Sequence, residues 1–123
     1  MAKKIEIKWL AGPEDQDYPA AGSFLSLLFE EQETAKYVRR LRKAPIVNFK
    51  AKDIFRASGL SLLGVSNSHV ERDRKKVVAG QRLSPLLLVR GAGNESVIIA
   101  DGYHRMCAVY SFDEDAVIPC KIV

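Results

Sequence analysis

From Leu83 to Val123 the order of apolar and turn residues leaves few ways to fold. Leu86–Val89 is an unbroken apolar run, Gly91-Ala92-Gly93-Asn94 follows, and Val97-Ile98-Ile99-Ala100 ends at Asp101-Gly102. Two short β-rich runs around a glycine-rich loop read as a hairpin. A helix starts directly after Gly102, with Met106, Val109 and Tyr110 on its buried side. Asp113-Glu114-Asp115 turns the chain, and Val117 to Val123 makes a final strand. Pro119 has no N–H for a ladder, which restricts that strand to an edge or to a point where no donor is needed.

Upstream the elements are plainer. Lys4 to Leu10 alternates, with Ile5, Ile7 and Trp9 on one face, and reads as a half-buried strand. Gly12-Pro13 ends it, and Ala11 to Gly22 reads as a loop. Ser23 then caps a helix that carries Phe24, Leu28, Ala35, Val38 and Leu41 along one face until Pro45 stops it. Ile46–Phe49 is a short strand, Ala51 to Ser58 a helix closed by Gly59, and Leu60–Val65 an irregular crossing. Asn67 or Ser68 caps a helix running to Ala79, with Gly80 as its stop. A chain of 123 residues is one domain on length. The expected class is α+β, a small mixed sheet with flanking helices. Residues 1–44 form an added strand and helix, and residues 45–123 form the core.

Composition narrows the partners. Charged residues are 28% of the chain and the net charge is +4, which permits an anionic partner without demanding one. Lys36, Arg39, Arg40, Arg42 and Lys43 fall near a helix C-terminus, where positive charge complements the macrodipole. That reading is preferred to nucleic-acid binding. Arg72, Arg74, Lys75 and Lys76 read as a wet helix face. No apolar run reaches the roughly 20 residues that cross a bilayer, and no signal-like segment opens the chain, so the cytoplasm is the expected compartment. Cys107 and Cys120 match no metal or disulfide spacing and read as small buried hydrophobes.

Chemistry is concentrated at Asp101-Gly102-Tyr103-His104-Arg105. A strand feeding directly into a helix leaves the first backbone N–H groups without intrahelical acceptors, and the helix dipole favours an anion there. Gly102 permits the sharp bend and the close approach of a ligand. Arg105 can grip phosphate oxygens through parallel hydrogen bonds, and His104 can donate or transfer a proton near neutral pH. A plainer reading stands beside this one: Asp101 as an N-cap, Gly102 as a turn, His104 and Arg105 as exposed helix residues.

The stretch from Leu83 to Val123, with Ile98-Ile99-Ala100-Asp101-Gly102-Tyr103-His104-Arg105 and the closing Ile118-Pro119-Cys120-Lys121-Ile122-Val123, resembles the ParB/sulfiredoxin-like superfamily. The counterpart of that family's first segment is Ile46 to Arg56, ending Lys52-Asp53-Ile54-Phe55-Arg56. The resemblance implies that the Gly-x-His-Arg turn holds nucleotide phosphates: CTP in a ParB-like protein, ATP in a sulfiredoxin-like one, and phosphotransfer or nuclease activity in other branches. The expected ligand is ATP, ADP or CTP, and the expected activity that of a nucleotide hydrolase or phosphotransferase. Gly102, Tyr103, His104 and Arg105 take the phosphate in this reading, with Arg56 from the first segment, and Mg2+ accompanies a nucleoside phosphate. Ser68, Lys75 and Lys76 are further phosphate candidates. His104 and Asp101 are the catalytic candidates, with Asp53, Glu71 and Asp73 as weaker candidates for a base. Tyr103 stands where sulfiredoxin carries its reactive cysteine, so reduction of oxidised cysteine is not expected. The alternative is a non-catalytic module of the same fold that meets DNA, RNA or protein, or that acts through an oligomeric interface. The modest charge and the lack of interleaved exposed aromatics argue against strong sequence-independent nucleic-acid binding.

Overall fold

A computed structural model of the chain describes residues 5–91 and 96–123. The first part of the expected strand, Lys4, and most of the glycine-rich loop, Ala92 to Asn94, lie outside the described residues. The elements run β1 (Lys8–Trp9), α1 (Asp17–Leu25), α2 (Glu31–Lys43), β2 (Val47–Lys50), α3 (Ala51–Ser58), α4 (Ser68–Val78), β3 (Arg82–Leu83), β4 (Leu86–Val89), β5 (Ile98–Asp101), α5 (Tyr103–Phe112) and β6 (Val117–Ile122). This is an α+β fold with a small mixed sheet and flanking helices. The larger sheet has the order β2-β6-β4-β5, and β1 pairs with β3 in a second, two-stranded sheet.

β4 and β5 form the expected antiparallel hairpin, with a register shift between Leu87 and Leu88. β6 takes the second of the two placements that Pro119 allows. It lies inside the sheet, antiparallel to β2 and parallel to β4, rather than at an edge. Pro119 is tolerated there because the β4 ladder begins one residue later, at the pairing of Leu86 with Cys120. β1 is shorter than the alternation of its side chains suggests, because its partner β3 is itself only two residues long.

The alternation of apolar and polar side chains along the hairpin sorts the core into two clusters, one on each face. Leu86, Leu88, Ile118 and Cys120 point toward α3, α4 and α5 and pack with Ile54, Val70, Val77, Met106 and Val109. Leu87, Val89 and Ala100 point the other way and are covered by Tyr18, Ala21 and Leu25 of α1 and Leu41 of α2.

The N-terminal third contains the largest correction. The segment expected to be a loop up to Gly22 holds α1, and Ser23 lies inside that helix rather than capping the next one. Pro19 and Gly22 read as loop residues, but Pro19 occupies the first turn, where a missing N–H breaks no helical bond. The Asp17 carboxylate accepts the Glu14 N–H at 2.9 Å at the helix entrance. The long helix is therefore two. Of the residues placed on its single apolar face, Leu41 is fully buried and Val38 half-buried, whereas Phe24, Leu28 and Ala35 are exposed. The buried positions of α2 are Thr34 and Leu41, and Glu31, which interrupts the stripe, is where the second helix begins.

α3, α4 and α5 keep their expected spans. Gly59 ends α3 with φ 67°, and Gly80 follows α4 with φ 75°. Asn67 caps α4, its Oδ1 accepting the N–H groups of His69 and Val70 at 3.0 and 3.2 Å. Met106 and Val109 are fully buried and Tyr110 half-buried, as the spacing in α5 requires.

Candidate functional site

Gly102 turns β5 into α5 with φ 108° and ψ 15°, a conformation that side-chain-bearing residues rarely adopt. A Cβ at this position would lie 2.7 Å from Leu86 Cγ and 2.9 Å from the Arg105 guanidinium. The chain needs glycine here on two counts, backbone and space. The Met106 N–H donates to the Gly102 carbonyl at 2.9 Å and closes the first turn of α5. Among the described residues no side chain caps the helix. The N–H groups of Tyr103, His104 and Arg105 therefore lack intrahelical acceptors.

Asp101 does not act as the cap. Its Oδ2 accepts a hydrogen bond from the Arg105 Nη2 at 2.8 Å, one helical turn away, and both side chains are only 17% exposed. Arg105 Nη2 also reaches the Pro85 carbonyl at 3.4 Å, and Arg105 Nε is buried without a protein partner. Burial pushes the Asp101 carboxyl above its ordinary range. Arg105 pulls the other way, and the nearby Asp17 charge adds to the upward push. Arg105 is thus a clamp on Asp101 before it is anything else, and neither side chain stands free to meet a ligand.

The first turn of α5 opens on a polar cavity of about 310 Å³. Its walls come from four places: Arg72, Asp73 and Lys76 of α4, Arg82 of β3 with Ser84 after it, Glu14 and Asp17 at the entrance of α1, and the Asp101–Arg105 turn. α4 packs on α5, which sets its charged face beside the helix start. Arg72 is exposed and makes no hydrogen bond or ion pair among the described residues. Lys76 faces the buried Asp73 carboxylate at 3.9 Å. Arg82 donates to the Trp9 carbonyl at 3.2 Å, and the Ser84 hydroxyl donates to Glu14 Oε1 at 3.2 Å.

His104 is half-buried, its ring 4.8 Å from that of His69 and 5.5 Å from that of Tyr103. Burial holds its imidazole below the usual histidine value. His69 and Arg72 push the same way, and Asp73 opposes them. With its charged form disfavoured, the imidazole can accept a proton as well as donate one N–H. The Tyr103 hydroxyl donates to the Ser61 carbonyl and braces the helix start against the crossing segment.

The chain has no match among protein-family models, curated proteins or solved structures.

The residues singled out from the sequence are therefore brought together only in part. Asp101, Gly102, Tyr103, His104 and Arg105 share the cavity with Asp73 and Lys76. Arg56 is exposed on α3 and does not line it, and neither do Ser68, Glu71 or Lys75. Asp53 sits at a separate apolar cavity of about 160 Å³ between α3 and the sheet, with Phe49, Leu88 and Ile122. Among the described residues no three His, Cys, Asp or Glu side chains converge as a metal site would require. Arg72, Arg82, Glu14 and Asp17 are cavity residues that the motif did not indicate. Arg72 and Lys76 are four apart and share a helix face, but nothing local says which element that face meets. Both cysteines are fully buried, and burial raises their thiols, Cys120 to about 12, so they behave as inert core residues.

Proposed function

We propose that this protein binds the phosphate of a nucleotide at the start of α5, in the manner expected of a ParB/sulfiredoxin-like domain. The observation that carries the reading is the meeting of uncapped helix amides with a polar cavity walled by Arg72, Lys76 and Arg82. Backbone donors and the helix dipole favour an anion at that point, and cationic side chains around it add range and grip. His104 orients the phosphate or exchanges a proton with it. Arg105 serves the site by holding Asp101 away from the helix amides, and Gly102 by leaving the approach unobstructed. Mg2+ reaches such a site with the nucleotide, bound mainly through the phosphates. ATP, ADP and CTP are the nucleotides to try first.

Thermal shift against these nucleotides, with and without Mg2+, tests the reading, because a ligand that binds only the folded state raises Tm. Arg72→Ala is the variant of choice: Arg72 is exposed and has no partner among the described residues, so the fold is expected to persist while the shift shrinks. Absence of any shift with every phosphate compound overturns the reading. A second reading, a non-catalytic binding module, is favoured by one feature outside the cavity. Leu27 is 82% exposed at the turn between α1 and α2, beside the exposed Leu28 and Phe24. Retardation of a DNA oligomer with steep salt dependence, in the absence of nucleotide binding, identifies the nucleic-acid form of that module.

A further inference from the structure

The turn between α1 and α2 presents Leu27, which is 82% exposed, with Phe24 and Leu28 exposed beside it. The turn itself is fixed. The Leu27 and Leu28 N–H groups donate to the Phe24 and Leu25 carbonyls at 3.1 and 2.9 Å, and the Phe29 ring packs 4.9 Å from that of Tyr37. One aromatic side chain is thus anchored inward while two leucines are held in water. Large apolar side chains kept at neighbouring exposed positions mark a surface that another molecule covers.

α2 continues that surface. Thr34, Tyr37, Val38 and Leu41 face the core, which leaves Gln32, Ala35, Lys36, Arg39 and Lys43 outward. Its charges are sorted by end, with Glu31 and Glu33 in the first turn and Arg40, Arg42 and Lys43 in the last. Beyond the basic end, Pro45 and Ile46 are exposed again. In chain order the surface is therefore apolar, acidic, basic, apolar. Rotated by half a turn about an axis through the middle of α2, that order is its own complement. An antiparallel copy sets its acidic first turn against the basic last turn, and its Leu27 and Leu28 against Pro45 and Ile46. Self-complementarity of this kind is what a two-fold contact between identical chains requires. A nucleic acid, by contrast, is repelled by Glu31 and Glu33 and gains nothing from Leu27.

We infer that the chain forms a symmetric dimer through the outer face of α2 and the leucines that precede it, with the two α2 helices antiparallel. Burial of Leu27 and Leu28 supplies most of the affinity. Exposed ion pairs add little to affinity but fix orientation and register. Ala35, the smallest residue of a shallow groove shared with Glu31, Gln32 and Arg39, lets the helices approach closely at mid-length. The inference names the partner of the surface that favours the second reading. It is independent of the phosphate cavity, with which that surface shares no residue. With 13 residues α2 is about 20 Å long, so the contact belongs to the small class of interface, below the roughly 800 Å² per partner of standard complexes. A dissociation constant on the order of 10 µM is expected.

Sedimentation equilibrium of the full chain between about 1 and 500 µM tests this, with the dimer expected to predominate at the upper end. Leu27→Asp, at a position that packs on almost nothing, should weaken association at least about tenfold while leaving the far-ultraviolet circular dichroism unchanged. Glu31→Lys and Lys43→Glu test the arrangement, since both positions are exposed. Each places like charges opposite one another across its own two-fold axis, and should weaken self-association at least about tenfold. An equimolar mixture of the two restores both attractive pairs, and should associate to within about threefold of the unaltered chain. A chain that stays monomeric throughout overturns the inference. That result leaves the phosphate reading to the nucleotide thermal shifts and the module reading to the DNA retardation. A dimer that Leu27→Asp leaves intact also overturns it, by placing the contact elsewhere. Folded charge variants that fail to combine overturn the antiparallel arrangement.

Discussion

Gly102 carries two constraints at a single residue, a positive φ of 108° and a Cβ position 2.7 Å from the buried Leu86. Gly102→Ala should destabilise the chain by roughly 2–4 kcal/mol, the sum of backbone strain and overpacking, read as a lower urea midpoint. The Asp101–Arg105 pair makes a different prediction. Arg105→Ala leaves a largely buried carboxylate without its cation and should cost about 3 kcal/mol at neutral pH. For that reason it is a poor probe of phosphate binding. The pH dependence follows from the raised carboxyl. Because the folded value lies above the unfolded one, the folded chain holds the proton more readily between the two. Asp101 therefore contributes its full stabilisation below the ordinary value of 3.8, and that contribution is lost as pH rises through the folded value. Urea midpoints of the unaltered chain and of Asp101→Asn should accordingly diverge as pH rises from about 4, with the unaltered chain losing ground. Taking the difference between the two proteins removes the opposing slope from His104, whose lowered value makes stability fall as pH drops below 6.5. Equal slopes in the two proteins would show that Asp101 titrates normally.

At the level of elements, α4 is held at its start by Asn67, whose side chain satisfies two otherwise unpaired N–H groups. Asn67→Ala should cost about 1 kcal/mol, visible in thermal or urea unfolding. This cap, the stops at Gly59 and Gly80 and the strand–Gly102–helix junction were all legible in the sequence, because each rests on chemistry confined to a few neighbouring residues. The break between α1 and α2 was not. Phe24, Leu28, Ala35, Val38 and Leu41 fit a single helical stripe on paper, yet Phe24, Leu28 and Ala35 face outward and Thr34 faces inward. Periodicity reports the spacing of apolar side chains, and a continuous stripe can span two helices whose axes differ. The motif was legible for the same local reason, whereas Arg72, Arg82, Glu14 and Asp17 reach the cavity from three separate elements. Only the packing of α4 on α5 and of α1 beside β5 brings them together.

On the scale of the molecule, residues 17–43 are the cover of one whole sheet face. Leu87, Val89 and Ala100 are buried against Tyr18, Ala21, Leu25 and Leu41. A fragment beginning at Pro45 would expose that face, and it would also lose Glu14 and Asp17 from the cavity. Such a fragment is expected to lose cooperative thermal unfolding by circular dichroism and to aggregate. A soluble fragment with a sharp transition would show that the sheet closes without its N-terminal cover. Which of the two placements Pro119 takes is decided at this scale, since a strand's neighbours are a property of the whole sheet and not of its own residues. The placement of β6 has one more consequence. β2 and β4 are joined only through it, although it comes after both in the chain. While residues 117–122 are still within a ribosome, the nascent protein holds a hairpin and a separate strand–helix piece with nothing to bridge them. Both flanks of the gap then present unpaired backbone to chaperones and to neighbouring chains until synthesis delivers the strand that fills it.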